Sequence, residues 1–381
     1  MLNSVAAGPG ERRRQGAAVV AGVVLLTWFG RVQPVVSVHA RIPLDHRTGG
    51  FGPLRPSDHM WLRQTMYRLT PSALDRAGDL LALDQWGALW KAGPEQVPLR
   101  LGRLRPPVNP ACLCVADDGA VWVAALEGRQ VVRYPPAVAT SSDVTCKARP
   151  TVEVSVADRS YVVDLAAGTH GEVMVSCAGR AMRRYAADGR LVAEYTQDAA
   201  EAAVGQRGTW GADVALAFAM SADGTVHGCS VGRADDSGRL LSAPVYVWHR
   251  PDHFDWRVVD LRHLGRVTGF ELLLKHAGAS GEIYFQYYLR DQDASPGSHW
   301  PGPMAIARCG PNGRAREVFD IRRHYRAEQA RDQAWRCGDL IQVSPCGDLY
   351  IEIQTKDCYR VDRVSFRRWW QRRTLTKVEL P

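Results

Sequence analysis

The chain has 381 residues, 46% hydrophobic and 23% charged, with 35 glycines, 22 prolines and 12 tryptophans; this describes a globular, turn-rich protein and excludes a disordered one. The formal net charge of +8 does not point to nucleic acid, because the excess sits at the two ends. Residues 1–40 carry four arginines and one glutamate, residues 363–381 carry Arg363, Arg367, Arg368, Arg372, Arg373 and Lys377 against Glu379, and the body between them is formally neutral.

The first expected element is an N-terminal hydrophobic helix over residues 16–38. Arg12, Arg13 and Arg14 precede an uncharged stretch from Gln15 to Gly30. As a helix it reaches about 23 Å, short of a ~30 Å hydrocarbon core unless it continues through RVQPVV. It reads as an uncleaved signal anchor, or as a signal peptide cut after Val38-His39-Ala40, where small residues suit the peptidase; a buried core helix is the third reading. Arginines on the leading side place the N-terminus in the cytoplasm of a bacterial-type inner membrane, with the remainder periplasmic or extracellular. The expected organisation is a basic segment 1–15, the helix 16–38, a linker 39–59 and one main domain, 60–381.

Within that domain a unit recurs six times: an apolar strand, a tight glycine turn, and a second apolar strand. The copies begin at residues 72, 112, 162, 214, 270 and 339, and the second reads CLCVADDGAVWVAA. Asp-Gly and Gly-Asp turns between β-rich runs are strong hairpin signals, since glycine accepts positive φ. A third strand with a basic residue follows each hairpin, as in ALWKAGP, QVVRYPP and AMRRYAADG, and a fourth follows in most units. Six units of four antiparallel strands predict an all-β fold, a six-bladed β-propeller; a pair of β-sandwiches is the structural alternative. The turn glycines 78, 119, 171, 224, 281 and 347 are increasingly far apart, so later blades carry longer loops. Residues 374–380 or 60–69 would supply the last outer strand. Two polar excursions, 196–213 and 322–335, interrupt the pattern, and the second has the composition of a short helix.

These repeats resemble the NHL-repeat and related six-bladed propellers, in which an Asp-Gly hairpin leads through an apolar strand to a second glycine turn. The resemblance covers roughly residues 60–380 and implies architecture more than activity.

Candidate site residues are few. First strands begin with an acid or amide in five of six units: Asn109, Asp164, Asp213, Glu271 and Asp339. In a propeller these starts ring one mouth of the central channel, and Asp164, Asp213, Glu271 and Asp339 supply the oxygens that Ca²⁺ requires; the plainer reading has them capping loops. Propeller lactonases, which the architecture resembles, hold a channel-mouth metal with such residues, implying a Lewis-acid role. Nine cysteines include no C-x-x-C pair. Cys112 and Cys114 read as small buried hydrophobes, and Cys337 with Cys358 is the candidate disulfide. His170, His227, His276 and His299 are scattered over different units and read as loop or surface residues. No nucleophile elbow, phosphate loop, zinc-protease motif or dinucleotide fingerprint is present. Finally, SFRRWWQRR sets Arg367, Arg368, Arg372 and Arg373 around Trp369 and Trp370, a pattern suited to a lipid headgroup boundary or an acidic partner, or to a last strand packed in the core. The sequence thus reads as a membrane-anchored extracytoplasmic propeller serving as an interaction or accessory subunit of a membrane complex. The alternatives are a metal-dependent, lactonase-like hydrolase and a ligand-binding sensor at the channel mouth.

Overall fold

A computed structural model describes residues 33–44, 51, 70–84, 86–104, 112–125, 129–140, 147–156, 162–177, 181–196, 217–221, 224–229, 233–234, 240–264, 270–278, 281–289, 305–332 and 334–367. By contact the chain divides into Met1–Ser37 with Val364–Pro381, and Val38–Arg363. Six sheets occupy the second unit, and two of their strands continue into the first.

Strands are numbered along the chain, and β1 is Gln33–Pro43. Blade 1 comprises β2 (Ser72–Leu74), β3 (Leu80–Leu83), β4 (Ala88–Ala92) and β5 (Leu99–Leu104). Blade 2 comprises β6 (Cys112–Val115), β7 (Val121–Ala125), β8 (Gln130–Tyr134) and β10 (Val152–Ser155), while the short β9 (Lys147–Ala148) joins the edge of blade 1, parallel to β5. Blade 3 is β11 (Val162–Ala167), β12 (Val173–Cys177), β13 (Ala181–Tyr185) and β14 (Leu191–Thr196). Blade 4 is β15 (Ala217–Met220), β16 (Val226–Cys229), the two-residue β17 (Arg233–Ala234), β18 (Leu240–Arg250) and β19 (His253–Asp260). Blade 5 is β20 (Phe270–Ala277), β21 (Ile283–Leu289), β22 (Ala305–Cys309) and β23 (Ala315–Asp320). Blade 6 is β24 (Arg336–Val343), β25 (Leu349–Gln354) and β26 (Cys358–Arg367), completed by β1.

The first strands lie against one another in a closed cycle: β2 beside β6, β6 beside β11, β11 beside β15, β15 beside β20, β20 beside β24, and β24 beside β2. Six sheets, antiparallel apart from the β5–β9 edge, with their first strands innermost make a six-bladed β-propeller. Apolar side chains fill the spaces between blades. Met174, Met182 and Tyr195 of blade 3 pack on Tyr246 and Trp248 of blade 4, and Cys112, Cys114 and Trp122 of blade 2 pack on Val173 and Val175 of blade 3.

Local chemistry explains the repeat. At each first hairpin the turn glycine has φ between 75° and 87°, a region in which a side chain is strained. The basic residue of the third strand reaches back to an acid of that turn. Lys91 pairs with Asp75 and Asp79, Arg133 with Asp118, Arg184 with Glu172, Arg308 with Glu282, and Arg363 with Asp348. Being partly exposed, each pair contributes about 0–1 kcal/mol, so their effect is to fix turn geometry. Turns also lock neighbouring blades: the Asp117 carboxylate accepts the N–H groups of His170 and Gly171 at 2.8 and 2.6 Å. Burial works against the ionised form of Asp117, but these hydrogen bonds outweigh it and its pKa is lowered.

The ring closes through the N-terminus. The fourth strand of blade 6 is β1, not residues 60–69 or 374–380, both of which lie outside the described residues. Residues 33–38, expected as the end of a helix, are extended instead, and residues 39–43, expected as linker, continue the same strand. Alternation accounts for this: Ala40 and Ile42 are buried at 2% and 0% exposure, whereas Arg41 and Pro43 are exposed, a period-2 pattern rather than a helical one. The His39 imidazole Nε2 donates to the Gly78 carbonyl at 2.6 Å, tying blade 6 to the first turn of blade 1. A cut after Ala40 would therefore remove most of a load-carrying strand. Among the described residues no helix is long and apolar enough to cross a membrane; the apolar stretch 16–32 lies outside them.

Candidate site at the axial mouth

First strands all start at the same end of the ring, so their opening residues surround one mouth of the axis. Asp164 is the third residue of β11, Glu271 the second of β20 and Asp339 the fourth of β24. Asn109 and Asp213 lie outside the described residues, as do the side chains of Glu271 and Asp339. The Asp164 carboxylate is half-buried, and its Oδ1 accepts the N–H of Leu165 at 2.9 Å, which holds it close to its own backbone.

Two of these acids sit where the ladder is broken. The pairing of β11 with β12 shifts between Val162 and Asp164, and that of β24 with β25 shifts between Cys337 and Leu340, around Asp339. Such bulges re-aim side chains and recur beside active sites. At the second, the Leu340 N–H is taken up at 2.8 Å by Oε1 of Gln286, a fully buried residue of blade 5. Blades 3 and 6 are opposite in a ring of six, so the two bulges lie on opposite inner strands.

Blade 1 has no acid at its start, and its neighbour supplies one. Ser72, the first residue of β2, donates to Glu352 Oε1 at 2.7 Å and accepts from the Tyr359 hydroxyl at 2.8 Å. Glu352 is fully buried on β25, in register with the bulge that contains Asp339, since Ile353 pairs with Cys337 and Ile351 with Leu340. Sequence reading missed Glu352; its only signal is one acid inside the apolar run LYIEIQ. Asp84 was missed too. In the turn after β3 its buried carboxylate accepts from Trp86 and Ala88 N–H groups and from Trp90 Nε1 at 2.8–3.0 Å, while burial raises its pKa.

Beside the mouth, the excursion expected over 322–335 forms the helix Ile321–Arg331, capped by Asp320, whose side chain accepts the Arg323 N–H. Its buried Tyr325 donates to Asp362 Oδ2 at 2.8 Å, and Arg360 bridges Glu328 and Asp362. Burial raises the pKa of Asp362 against the pull of Arg360.

Other expected groups do not join the site. Cys337 and Cys358 remain thiols. They lie on β24 and β26 with β25 between them, about 9.5 Å apart by strand spacing and beyond disulfide reach. Cys112 and Cys114 are buried thiols of the core. His276 stands edge-on to Tyr284, and burial lowers its pKa to about 4; His227 is buried in β16, and His299 lies outside the described residues. Arg367 ends β26, and Arg368, Trp369, Trp370, Arg372 and Arg373 lie beyond the described residues. Among the described residues no group of three His, Cys, Asp or Glu side chains is placed to hold a metal ion. The donor chemistry at the mouth, carboxylates on separate first strands, is nevertheless of the kind a hard divalent cation takes.

No protein-family model and no curated protein matches the chain. Among solved structures, virginiamycin B lyase from Staphylococcus aureus is similar at 11% identity over 88% of this chain and 100% of that one, with a TM-score of 0.42. A gluconolactonase from Xanthomonas campestris is similar at 13% identity over 87% and 100%, with a TM-score of 0.44. The mitotic checkpoint complex contains a chain similar at 10% identity over 87% and 97%, with a TM-score of 0.45. Likenesses this distant carry no argument, and the fold rests on the closed cycle of first strands.

Proposed function

We propose that the protein is a divalent-cation-dependent hydrolase of the lactone-cleaving kind, working at the axial mouth. The observation that supports it is the pair of bulged acids, Asp164 and Asp339, on opposite first strands, with Glu271 on a third. Asp164, Asp213, Glu271 and Asp339 would hold the cation, Ca²⁺ being the best match to oxygen-only ligands; bound there, it would polarise a substrate carbonyl. The chain's own part is to present Asp164, Glu271 and Asp339 from inner strands, with Gln286 bracing the backbone at Leu340. Calcium titration read by thermal shift, with Asp164→Ala and Asp213→Ala beside the parent, tests it together with turnover of a lactone panel. A calcium-dependent rise in melting temperature that both variants lose is expected; no shift and no turnover refutes the reading.

A second reading is an accessory subunit of a membrane complex, held by the N-terminal segment with the propeller outside a bacterial-type inner membrane. It is supported by exposed apolar side chains on the rim: Leu191 on β14, and Trp256 and Val258 on β19. Trp256 pairs with the buried Tyr246, so Trp256 extends the apolar packing between blades 3 and 4 to the surface. Affinity purification from solubilised membranes would recover a stoichiometric partner; purification of the chain alone would refute it.

A further inference from the structure

The helix Ile321–Arg331 turns a cationic face outward. Arg322, Arg323 and Arg326 are exposed, as are Ala327 and Ala330 beside them, while Ile321 and Tyr325 are buried on the opposite side. Among the described residues none of the three arginines has an acid within ion-pair distance. The acids nearby are already engaged. Asp320 accepts the Arg323 N–H at 2.7 Å, Glu317 accepts from the Tyr287 hydroxyl, Glu328 pairs with Arg360, and Asp332 accepts the N–H groups of Ala334 and Lys356 at 2.9 Å. Arg331 serves the helix itself, its Nε donating to the Ala327 carbonyl at 3.1 Å.

The position of these cations works against the helix. Arg322 and Arg323 stand in its first turn, which holds no acid, at the positive end of the dipole, where cations destabilise. The helix is held from its other side instead: Tyr325 donates to Asp362, its ring lies 5.4 Å from that of Trp335, and Arg360 ties Glu328 to Asp362. A local rule broken on a firmly docked element marks a place where some other requirement decides the sequence.

We propose that this helix face docks an acidic segment of a partner protein, whose carboxylates pair with Arg322, Arg323 and Arg326. Guanidinium groups take carboxylates in bidentate pairs, and a docked helix presents them at low ordering cost. Arg322 and Arg326 are one turn apart, about 6 Å, which matches glutamates four residues apart on a partner helix, and Ala327 and Ala330 leave room for its approach. A nucleic acid fits less well, since binding through phosphates commonly rests on about six to ten contacts and the chain between its two ends is formally neutral. A bilayer fits less well too, because the exposed residues of the helix are arginine, histidine and alanine, with no large apolar side chain to insert. The inference rests on neither reading proposed above.

The test measures binding of the full chain, by fluorescence anisotropy, to a labelled alanine-rich helical peptide of about 16 residues with glutamate at every fourth position, and to the same peptide with glutamine instead. Binding is expected to favour the glutamate peptide about tenfold or more and to weaken in about 0.5 M salt. The variant R322Q/R323Q/R326Q is expected to lose that preference with a melting temperature equal to or above the parent's, since it relieves the helix dipole. R250Q, which alters an exposed arginine of blade 4, is expected to keep it. Equal or no binding of the two peptides, or a preference that survives in the triple variant or disappears in R250Q, would overturn the proposal. So would tighter binding to single-stranded RNA, or to phosphatidylcholine vesicles with about 30% phosphatidylglycerol, than to the glutamate peptide.

Discussion

Ile42 is the residue through which ring closure can be tested most directly. Its side chain is fully buried against Leu80 of blade 1 and Tyr359 and Val361 of blade 6. Ile42→Ala removes three carbons, a transfer loss of about 2.4 kcal/mol, and the cavity left behind brings the cost to about 2.5–4 kcal/mol. Val38→Ala alters an exposed residue of the same strand and is expected to cost less than about 0.5 kcal/mol. Arg41 lies between them with its side chain exposed, but trypsin can cut there only when β1 leaves the sheet. If release of β1 is a local opening, I42A raises the opened population and the cleavage rate at Arg41 about a hundredfold, followed by mass spectrometry of native digests. Guanidinium unfolding read by tryptophan fluorescence gives the global loss in parallel. Cleavage at Arg41 no faster in I42A than in V38A would refute the role of β1 as the closing strand.

Acidification is expected to destabilise the protein between about pH 6.5 and 4 through His276. Burial lowers its folded-state pKa to about 4, so the unfolded chain binds more protons across that window and stability falls with pH, by up to about 3 kcal/mol; His276→Gln should flatten this part of the unfolding profile, and an unchanged profile would refute it. Ser72→Ala removes the hydroxyl shared by Glu352 and Tyr359 and is expected to cost about 1–3 kcal/mol in chemical denaturation; a loss below about 0.5 kcal/mol would show that the network contributes nothing. Among the described cysteines only Cys346 is exposed, while burial raises the Cys177 and Cys229 thiols to about 11 and about 12. Native labelling should therefore modify Cys346 first, and a non-reducing digest should yield Cys337 and Cys358 as thiols; a linked peptide would contradict the strand order of blade 6.

Much of the propeller was legible because its signals are local. Positive-φ glycines must appear where hairpins turn, and the third-strand cations Lys91, Arg133, Arg184, Arg308 and Arg363 repeat because each answers an acid of its own turn. The closing strand was not legible: VVSVHARIP follows an apolar stretch, and only its partner β26 shows which of its side chains are inside. The site was half legible for a similar reason. An acid near the start of a first strand can be read from spacing, but the bulges at Asp164 and Asp339 arise from pairing with β12 and β25. Gln286 and Glu352, which support the mouth from second strands, look like ordinary interruptions of apolar runs.

Closing a ring with the two ends of one chain also orders events during synthesis. β1 is translated more than 300 residues before the strand it pairs with, β26, so it must wait for that partner. Joining ends that far apart in an otherwise unfolded chain costs about 5 kcal/mol of loop entropy. Prior folding of blades 1 to 5 would shorten the effective span and lower that cost. Until then β1 and the edge of β26 are both unpaired, the condition in which strands find wrong partners. Pairing at so long a range is slow and aggregation-exposed in general, so a chain arrested just short of β26 is expected to aggregate more readily than the complete one.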